Sequence, residues 1–237
     1  MKPKYKRVLL KISGEGMAGT GKTGIDTSVV MQTAGQIAEL QKNGVQVCVV
    51  IGGGNFFRGA KNAGAMMDRS VADQIGMLAT VMNSMALKSA LEKLGSPVEV
   101  FSGISVPQVC NNYTFREAYG ALTSGKTVIF AGGTGSPYFT TDTGAALRAI
   151  EMHCDILMKA TQVDGVYDSD PRENPHAKRY DSVSFAEVLE KHLNVLDMTA
   201  ATMAQEADLA VMIFALKNEN SIVNAVCGNE KCTIIKK

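Results

Sequence analysis

The sequence predicts an α/β fold built on a mostly parallel sheet with helices on both faces, a three-layer sandwich. Three observations carry this. Short apolar runs alternate with helix-patterned stretches along the 237 residues. The runs are nearly continuous in branched and aromatic residues, as in strands buried on both faces. Their β-α-β-α order is that of parallel sheets. The length is ample for the hydrophobic core of a single α/β domain, 1–237.

The strands follow in order. "RVLLKI" (7–12) comes first and is bounded by Ser13 and Gly14. "VQVCVVIGGG" (45–54), "PVEVF" (97–101), "KTVIFAGG" (126–133), "CDILMKAT" (154–161) and "AVMIFA" (210–215) repeat the pattern. Between them lie four helical stretches, Thr27 to Asn43, Arg69 to Leu94, Thr114 to Ser124 and Thr141 to His153. Asp26 or Thr27 caps the first, and Asn43-Gly44 stops it. In the second, Val71, Ile75, Leu78, Met82 and Met85 recur at spacings of 4, 3, 4 and 3. Such a methionine-rich stripe reads as core or as a subunit contact, and from the sequence alone as core. The longest irregular stretch is "DGVYDSDPRENPHAKRYDS" (164–182), expected to be functional or mobile.

Composition narrows the function. The chain is 46% hydrophobic and 20% charged with a formal net charge of +1, so no strong field draws it to nucleic acid or membrane. No apolar run approaches the roughly 20 residues of a membrane span. A basic stub (Lys2, Lys4, Lys6, Arg7) leads straight into the first strand, without a leader pattern. None of the five cysteines forms a C-x-x-C pair, and the three histidines lack metal-ligand spacing. A cytoplasmic protein with reduced thiols and no zinc site is expected.

"GMAGTGKT" (16–23) fits the phosphate-binding pattern G-x-x-x-x-G-K-[ST] letter for letter. Its context does not. The preceding strand ends near Ser13, before Gly16, and Gly24 follows Lys22-Thr23 where a helix should begin. No apolar strand ending in a magnesium-binding Asp accompanies it. The stretch reads instead as a flexible glycine-rich loop.

Phosphate chemistry is better served at four other strand ends. Lys11, Ser13 and Gly14 close the first strand, where ligands gather in open α/β sheets. Gly52, Gly53 and Gly54 follow the second, exceed what a turn needs, and precede Arg58, a residue suited to bidentate phosphate contact. "FAGGTGSPYFTTD" brings glycines, then Thr140, Thr141 and Asp142, to a helix start. Lys159 and Thr161 end a fourth strand, and Tyr167 and Asp170 beyond it could hold a purine and its ribose. Asp142 reads as an N-cap, as a group that orients charge, or as both. There is no Ser-His-Asp arrangement and no catalytic carboxylate pair. Lysines and helix N-termini without a nucleophile fit phosphoryl transfer by positioning and charge neutralisation.

"LLKISGE", "VVIGGGNFFRG", "MDRSVADQIGMLATVMNSMAL", "GTGSPYFTTD" and "KATQVDGVYDSDP", in this order, closely resemble the bacterial uridylate kinases (UMP kinases) of the amino acid kinase family. The resemblance runs from about Tyr5 to near the C-terminus. It implies that family's α/β/α fold, with an acceptor half over about 1–150 and an ATP half over about 151–237. It implies transfer of the ATP γ-phosphate to UMP, with Mg²⁺ carried by ATP and no organic prosthetic group. By matching positions, Lys11, Asp142 and Arg58 would be catalytic. Lys11, Ile12, Ser13, Gly14, Gly54, Arg58, Thr161, Tyr167 and Asp170 would bind ATP. Gly53, Asp73, Thr134, Gly135, Ser136, Pro137, Tyr138, Phe139, Thr140 and Thr141 would bind UMP. Gly19, Thr20, Gly21, Lys22, Thr23 and Gly24 would form a loop linked to GTP activation. Lys159 is a candidate second charge stabiliser. UTP inhibition and a homohexamer are further implications, and Ser136, Gln162 and Cys232 depart from the family's usual residues. Two other readings stay open. One is a carboxylate-phosphorylating kinase of the same fold, against which "YFTTD" and Asp73 argue. The other is a nucleotide-sensing regulatory protein, against which the retained Lys11, Arg58 and Asp142 argue.

Overall fold

A computed structural model describes residues 2–21, 23–57, 67–191, 193, 195–216 and 220–237. In chain order the strands are β1 (Arg7–Ile12), β2 (Gln46–Ile51), β3 (Val98–Ser102), β4 (Asn111–Asn112), β5 (Thr127–Ala131), β6 (Ile156–Thr161), β7 (Val166–Tyr167), β8 (Arg179–Tyr180), β9 (Ser182–Ser184), β10 (Val211–Ala215) and β11 (Cys232–Lys236). The helices are α1 (Thr27–Lys42), α2 (Arg69–Lys93), α3 (Phe115–Thr123), α4 (Thr141–Glu151), α5 (Phe185–Glu190), α6 (Met198–Glu206) and α7 (Ser221–Cys227), and Gly14–Met17 forms a 3-10 turn. Among the described residues the main sheet runs β4-β3-β5-β2-β1-β6-β10-β11-β9. Neighbours are parallel except β10 and β11.

Period-two alternation divides the core. Val8, Leu10 and Ile12 of β1 face a layer built by α1, α2 and α7, with Ile37, Leu87 and Ile222 among its buried residues. Leu9 faces the other layer, where Leu122 of α3, Ala145 and Ala149 of α4 and Phe185 of α5 meet. Leu87 and Leu91 are wholly buried, each stabilising the fold by about 1.5–3 kcal/mol. Asp26 caps α1 by accepting from the Ser28 N–H at 2.9 Å. Gly44 and Gly95, left-handed at φ 79° and 70°, end α1 and α2.

The six apolar runs and four helical stretches of the sequence are all present, with ends within three residues of expectation. Two expectations change. The α2 stripe is not core. Val71, Leu78, Met82 and Met85 are 47%, 49%, 44% and 41% exposed, while Ala72, Met77, Ala79, Val81 and Leu87 turn inward. Alanines on the inner face let α2 lie close to the sheet, which leaves the bulkier residues outside. The 164–182 stretch is not wholly irregular, because it contains the antiparallel β7–β8 ribbon. The Thr233 hydroxyl oxygen accepts from the Val166 N–H at 2.8 Å and ties that ribbon to β11. All five cysteines are free thiols. No helix among the described residues is long and apolar enough to cross a membrane.

Candidate active site

Strands β5, β2, β1 and β6 are adjacent and parallel, so their C-terminal ends share one edge. Register sets the charges there. Lys11 of β1 lies directly opposite Lys159 of β6. Leu9 and Leu157 face the α4 side of the sheet, so the two lysines, each two residues further on, share that face. Asp142, in the first turn of α4, takes one lysine on each oxygen. Lys11 Nζ is 2.8 Å from Oδ1 and Lys159 Nζ is 2.6 Å from Oδ2. Lys159 also donates to the Val195 carbonyl at 2.5 Å.

Burial pushes the Asp142 carboxyl upward, but the ammonium groups of Lys11 and Lys159 together outweigh it and hold its pKa below the ordinary 3.8. Its stabilising contribution is therefore complete above that value and is lost as pH falls through the lower folded one. Burial, joined by the like charge of Lys11, holds the Lys159 amine below the ordinary 10.5, with Asp142 and Asp197 opposing. Lys159 thus sheds its proton earlier than an ordinary lysine on the alkaline side. If its charge serves the reaction, kcat/KM falls along an alkaline limb centred below 10.5. Lys159→Arg, whose guanidinium keeps its proton, is expected to move that limb upward in a pH–rate profile; an unmoved limb would assign it to another group.

Glycines let the strand ends meet. A Cβ on Gly14 would lie 2.6 Å from each of Gly52 O, Gly54 N and Asn55 Oδ1. One on Gly53 would lie 2.6 Å from the Gly76 carbonyl of α2. The turns after β1 and β2 are therefore in backbone contact, with Gly52 N–H donating to Ile12 O at 2.9 Å. Ser13 accepts from Gly16 N–H at 3.1 Å and caps the 3-10 turn.

On the β5 side, a 140 Å³ cavity is lined by Gly53, Phe57, Asp73, Thr134, Phe139, Thr140 and Thr141, among others. Thr140 caps α4, accepting from Asp142 N–H at 3.0 Å. Asp73 receives Arg69 Nε at 3.0 and 2.8 Å and Tyr138 N–H at 2.9 Å. Tyr138 holds φ 71°, a left-handed conformation that disfavours a non-glycine residue by about 1–2 kcal/mol. Gly135 is also left-handed, and Ser136 N–H donates to Thr134 Oγ1 at 3.2 Å. Pro137 lies between Ser136 and Tyr138 at this rim.

On the β6 side, a 500 Å³ cleft is lined by Thr161, Gln162, Tyr167, Asp170, Arg172 and Val195, among others. The Asp170 carboxylate is held by Arg172, whose side-chain hydrogen bonds pull its pKa down to about 2. Tyr167 donates to Asp164 Oδ1 at 2.6 Å, which raises its own pKa. Thr161 faces its own loop, donating to Val163 O at 2.6 Å. The lysine–aspartate cluster links the two spaces. Thr141, beside Asp142, lines the first, and Val195, bonded to Lys159, lines the second.

The profile of the amino acid kinase family matches residues 6–215. The chain belongs to the amino acid kinase family. Within that family it is 48% identical over 236 residues to the uridylate kinase of Hyphomonas neptunium, covering 100% of this chain and 94% of the relative. It is 47% identical to the uridylate kinase of Erythrobacter litoralis, covering 99% and 98%. It superimposes on the UMP kinase of Ureaplasma parvum with a TM-score of 0.93 at 36% identity, covering 100% of both chains. The UMP kinase of Bacillus anthracis gives 0.92 at 35%, covering 99% and 97%.

As the sequence context predicts, the described residues of "GMAGTGKT" do not have P-loop geometry. Gly16 and Met17 belong to the 3-10 turn, and the next helix starts only at Thr27 behind its Asp26 cap. Two site residues assigned from the sequence, Lys22 and Arg58, lie outside the described residues. Several groups were not found from the sequence. Asp197 accepts from the Thr140 hydroxyl and, at 2.9 Å, from that of Thr143, so it steadies the start of α4. Its only signal was a place before a helix. Asn83 hid among the methionines of α2, yet it donates to the Gly52 carbonyl at 2.7 Å. The Arg69–Asp73 pair was visible as an i, i+4 spacing and was not weighed.

Proposed function

We propose that this amino acid kinase is a UMP kinase: it moves the γ-phosphoryl group of ATP to the phosphate of UMP, giving ADP and UDP. One observation carries the chemistry. Lys11 and Lys159 face each other across β1 and β6, bridged by Asp142 at the start of α4 and set between two cavities. An oxygen of the UMP phosphate attacks Pγ while the bond from Pγ to the β-phosphate oxygen breaks. That oxygen is already deprotonated, so no general base is needed. The ammonium groups neutralise charge that spreads over the transferred group, and Asp142 fixes where they stand. The backbone of Gly14, Gly53 and Gly54 and the N-terminal end of α4 add fixed positive potential. ATP brings its magnesium ion as part of the substrate, as phosphoryl transfer generally does.

UMP is assigned to the β5-side cavity, with Asp73, Thr134 to Thr141 and Gly53 around it. ATP is assigned to the β6-side cleft, with Thr161, Tyr167 and Asp170 around its nucleoside and with Ile12, Ser13, Gly14, Gly54 and Arg58 along its phosphates. The acceptor half, about 1–150, thus also reaches the ATP phosphates, and the donor half, about 151–237, holds the nucleoside of ATP. The cytoplasm, where both nucleotides and free thiols are kept, is the fitting compartment.

A second copy of this chain is the proposed cover for the α2 stripe, in the homohexamer that the family resemblance suggests. Four large apolar side chains on one helix face, each more than 40% exposed, are more than a scatter of single surface residues. Leu78→Asp is expected to lower the mass seen by light scattering, and an unchanged mass would remove α2 from the interface. GTP activation through the loop 19–24 and UTP inhibition complete the proposal.

A coupled assay of ADP release with UMP, CMP and acetylglutamate as acceptors tests the function. Preference for UMP is expected. Preference for acetylglutamate would select the carboxylate kinase, and nucleotide binding without turnover would select the sensor.

A further inference from the structure

Two buried asparagines join the glycine-rich loop to the phosphate turn. Asn55, in the turn after β2, is 1% exposed, and Asn83, mid-way along α2, is 0% exposed. Their side-chain amides pair reciprocally. Asn55 Nδ2 donates to Asn83 Oδ1 at 2.9 Å, and Asn83 Nδ2 donates to Asn55 Oδ1 at 2.8 Å. Each amide has one N–H left. That of Asn55 goes to the Gly24 carbonyl at 2.7 Å, and that of Asn83 to the Gly52 carbonyl at 2.7 Å. Every donor of the pair is used, and turning either amide over would set oxygen against oxygen.

Gly24 is gripped twice, because its own N–H donates to the Asn55 carbonyl at 3.1 Å. Among the described residues, these are the only hydrogen bonds that leave residues 19–24 for the sheet turns. Gly19, Thr20, Gly21 and Thr23 are exposed. The same face of α2 reaches the acceptor turn, where the Thr80 hydroxyl oxygen accepts from Gly132 N–H at 2.8 Å.

We infer that the Asn55–Asn83 pair is a positioning device that transmits the conformation of the 19–24 loop to the phosphate turn at Gly52–Gly54. A shift at Gly24 pulls on Asn55. Asn55 carries Asn83, and Asn83 holds the carbonyl of Gly52. A packed polar pair with one satisfied orientation passes on such a shift rather than absorbing it. Neither asparagine touches substrate in this scheme; both act through the turn.

Gly24→Ala is the probe. Gly24 sits at φ 82° with nothing within 4 Å of an added Cβ, so the substitution strains the backbone without a clash. In an otherwise natural chain it is expected to lower kcat about tenfold. In Asn55→Ala or Asn83→Ala backgrounds, themselves slower than the natural enzyme, it is expected to lower kcat less than about twofold further. Should a single variant not fold, the Asn55→Ala/Asn83→Ala double variant, with no amide left half-paired, takes its place. Equal losses in all backgrounds, no loss in the natural one, or unaltered kcat in both asparagine variants would overturn the inference. It rests on the kinase reading only for this readout. Amide hydrogen exchange at Gly53, Gly54 and Asn55, faster on Gly24→Ala only when the pair is intact, tests it separately. Failure of transfer to UMP would leave that exchange result standing.

Discussion

Asp142→Asn is expected to lower kcat at least about a hundredfold while the chain stays folded. The amide keeps the size of the carboxylate and can still accept from one lysine. It cannot neutralise two. In the natural chain the 2.8 and 2.6 Å contacts hold both ammonium groups at one spot between the cavities. Without the charge, Lys11 and Lys159 repel each other across neighbouring strands. Breaking a buried pair typically destabilises by about 3–5 kcal/mol, but Lys159, already lowered by burial, can lose its proton and relieve part of that. Lys11→Met should produce a loss of the same order. Because both act through one cluster, the double variant should lose far less than the product of the two. Steady-state kinetics beside thermal unfolding decides the matter: near-natural turnover in both single variants would remove the cluster from the chemistry.

Gly14→Ala should be nearly as damaging, through geometry alone. Its Cβ would meet Gly52 O, Gly54 N and Asn55 Oδ1 at 2.6 Å, two backbone atoms and a side chain already locked by its partner. The ends of β1 and β2 must then separate. Overpacking of this kind is destabilising by about 1–3 kcal/mol, a loss of several degrees in Tm for a chain of this size. Activity should fall more than stability, by about a hundredfold, since a displacement near 1 Å suffices for that. Gly35→Ala is the control. It lies within α1 with nothing within 4 Å of the new Cβ, and is expected to be neutral or slightly stabilising. Equal activities for the two variants would contradict the backbone-contact account.

The buried strands and long helices were legible because continuous apolar runs and 3.6-residue periodicity persist over many residues. The rejection of the Walker-like stretch was legible too, since Asp26 marked the true helix start. What escaped depended on pairing between distant segments. Lys159 was named only as a secondary candidate, because nothing in the chain says that residue 159 stands opposite residue 11 until the β1–β6 register is known. Asp197 and Asn83 share that obstacle: their importance lies in the Thr140 and Thr143 hydroxyls and the Gly52 carbonyl, remote in sequence. The short α5 and α7, of 6 and 7 residues, lie below the length at which a helix shows its own periodicity and depend on packing. The α2 stripe misled because a hydrophobic period identifies a sticky face without saying what covers it.

The facing of Lys11 and Lys159 has a consequence for how the chain can vary. Their separation is set by the sheet itself, whose neighbouring strands lie about 4.8 Å apart, rather than by the packing of any loop. Every connection between β1 and β6 can lengthen or shorten without altering this ruler. A single inserted residue inside either strand would send one lysine to the opposite face of the sheet. Length variation is therefore expected in the loops, and none between Arg7 and Ile12 or between Ile156 and Thr161.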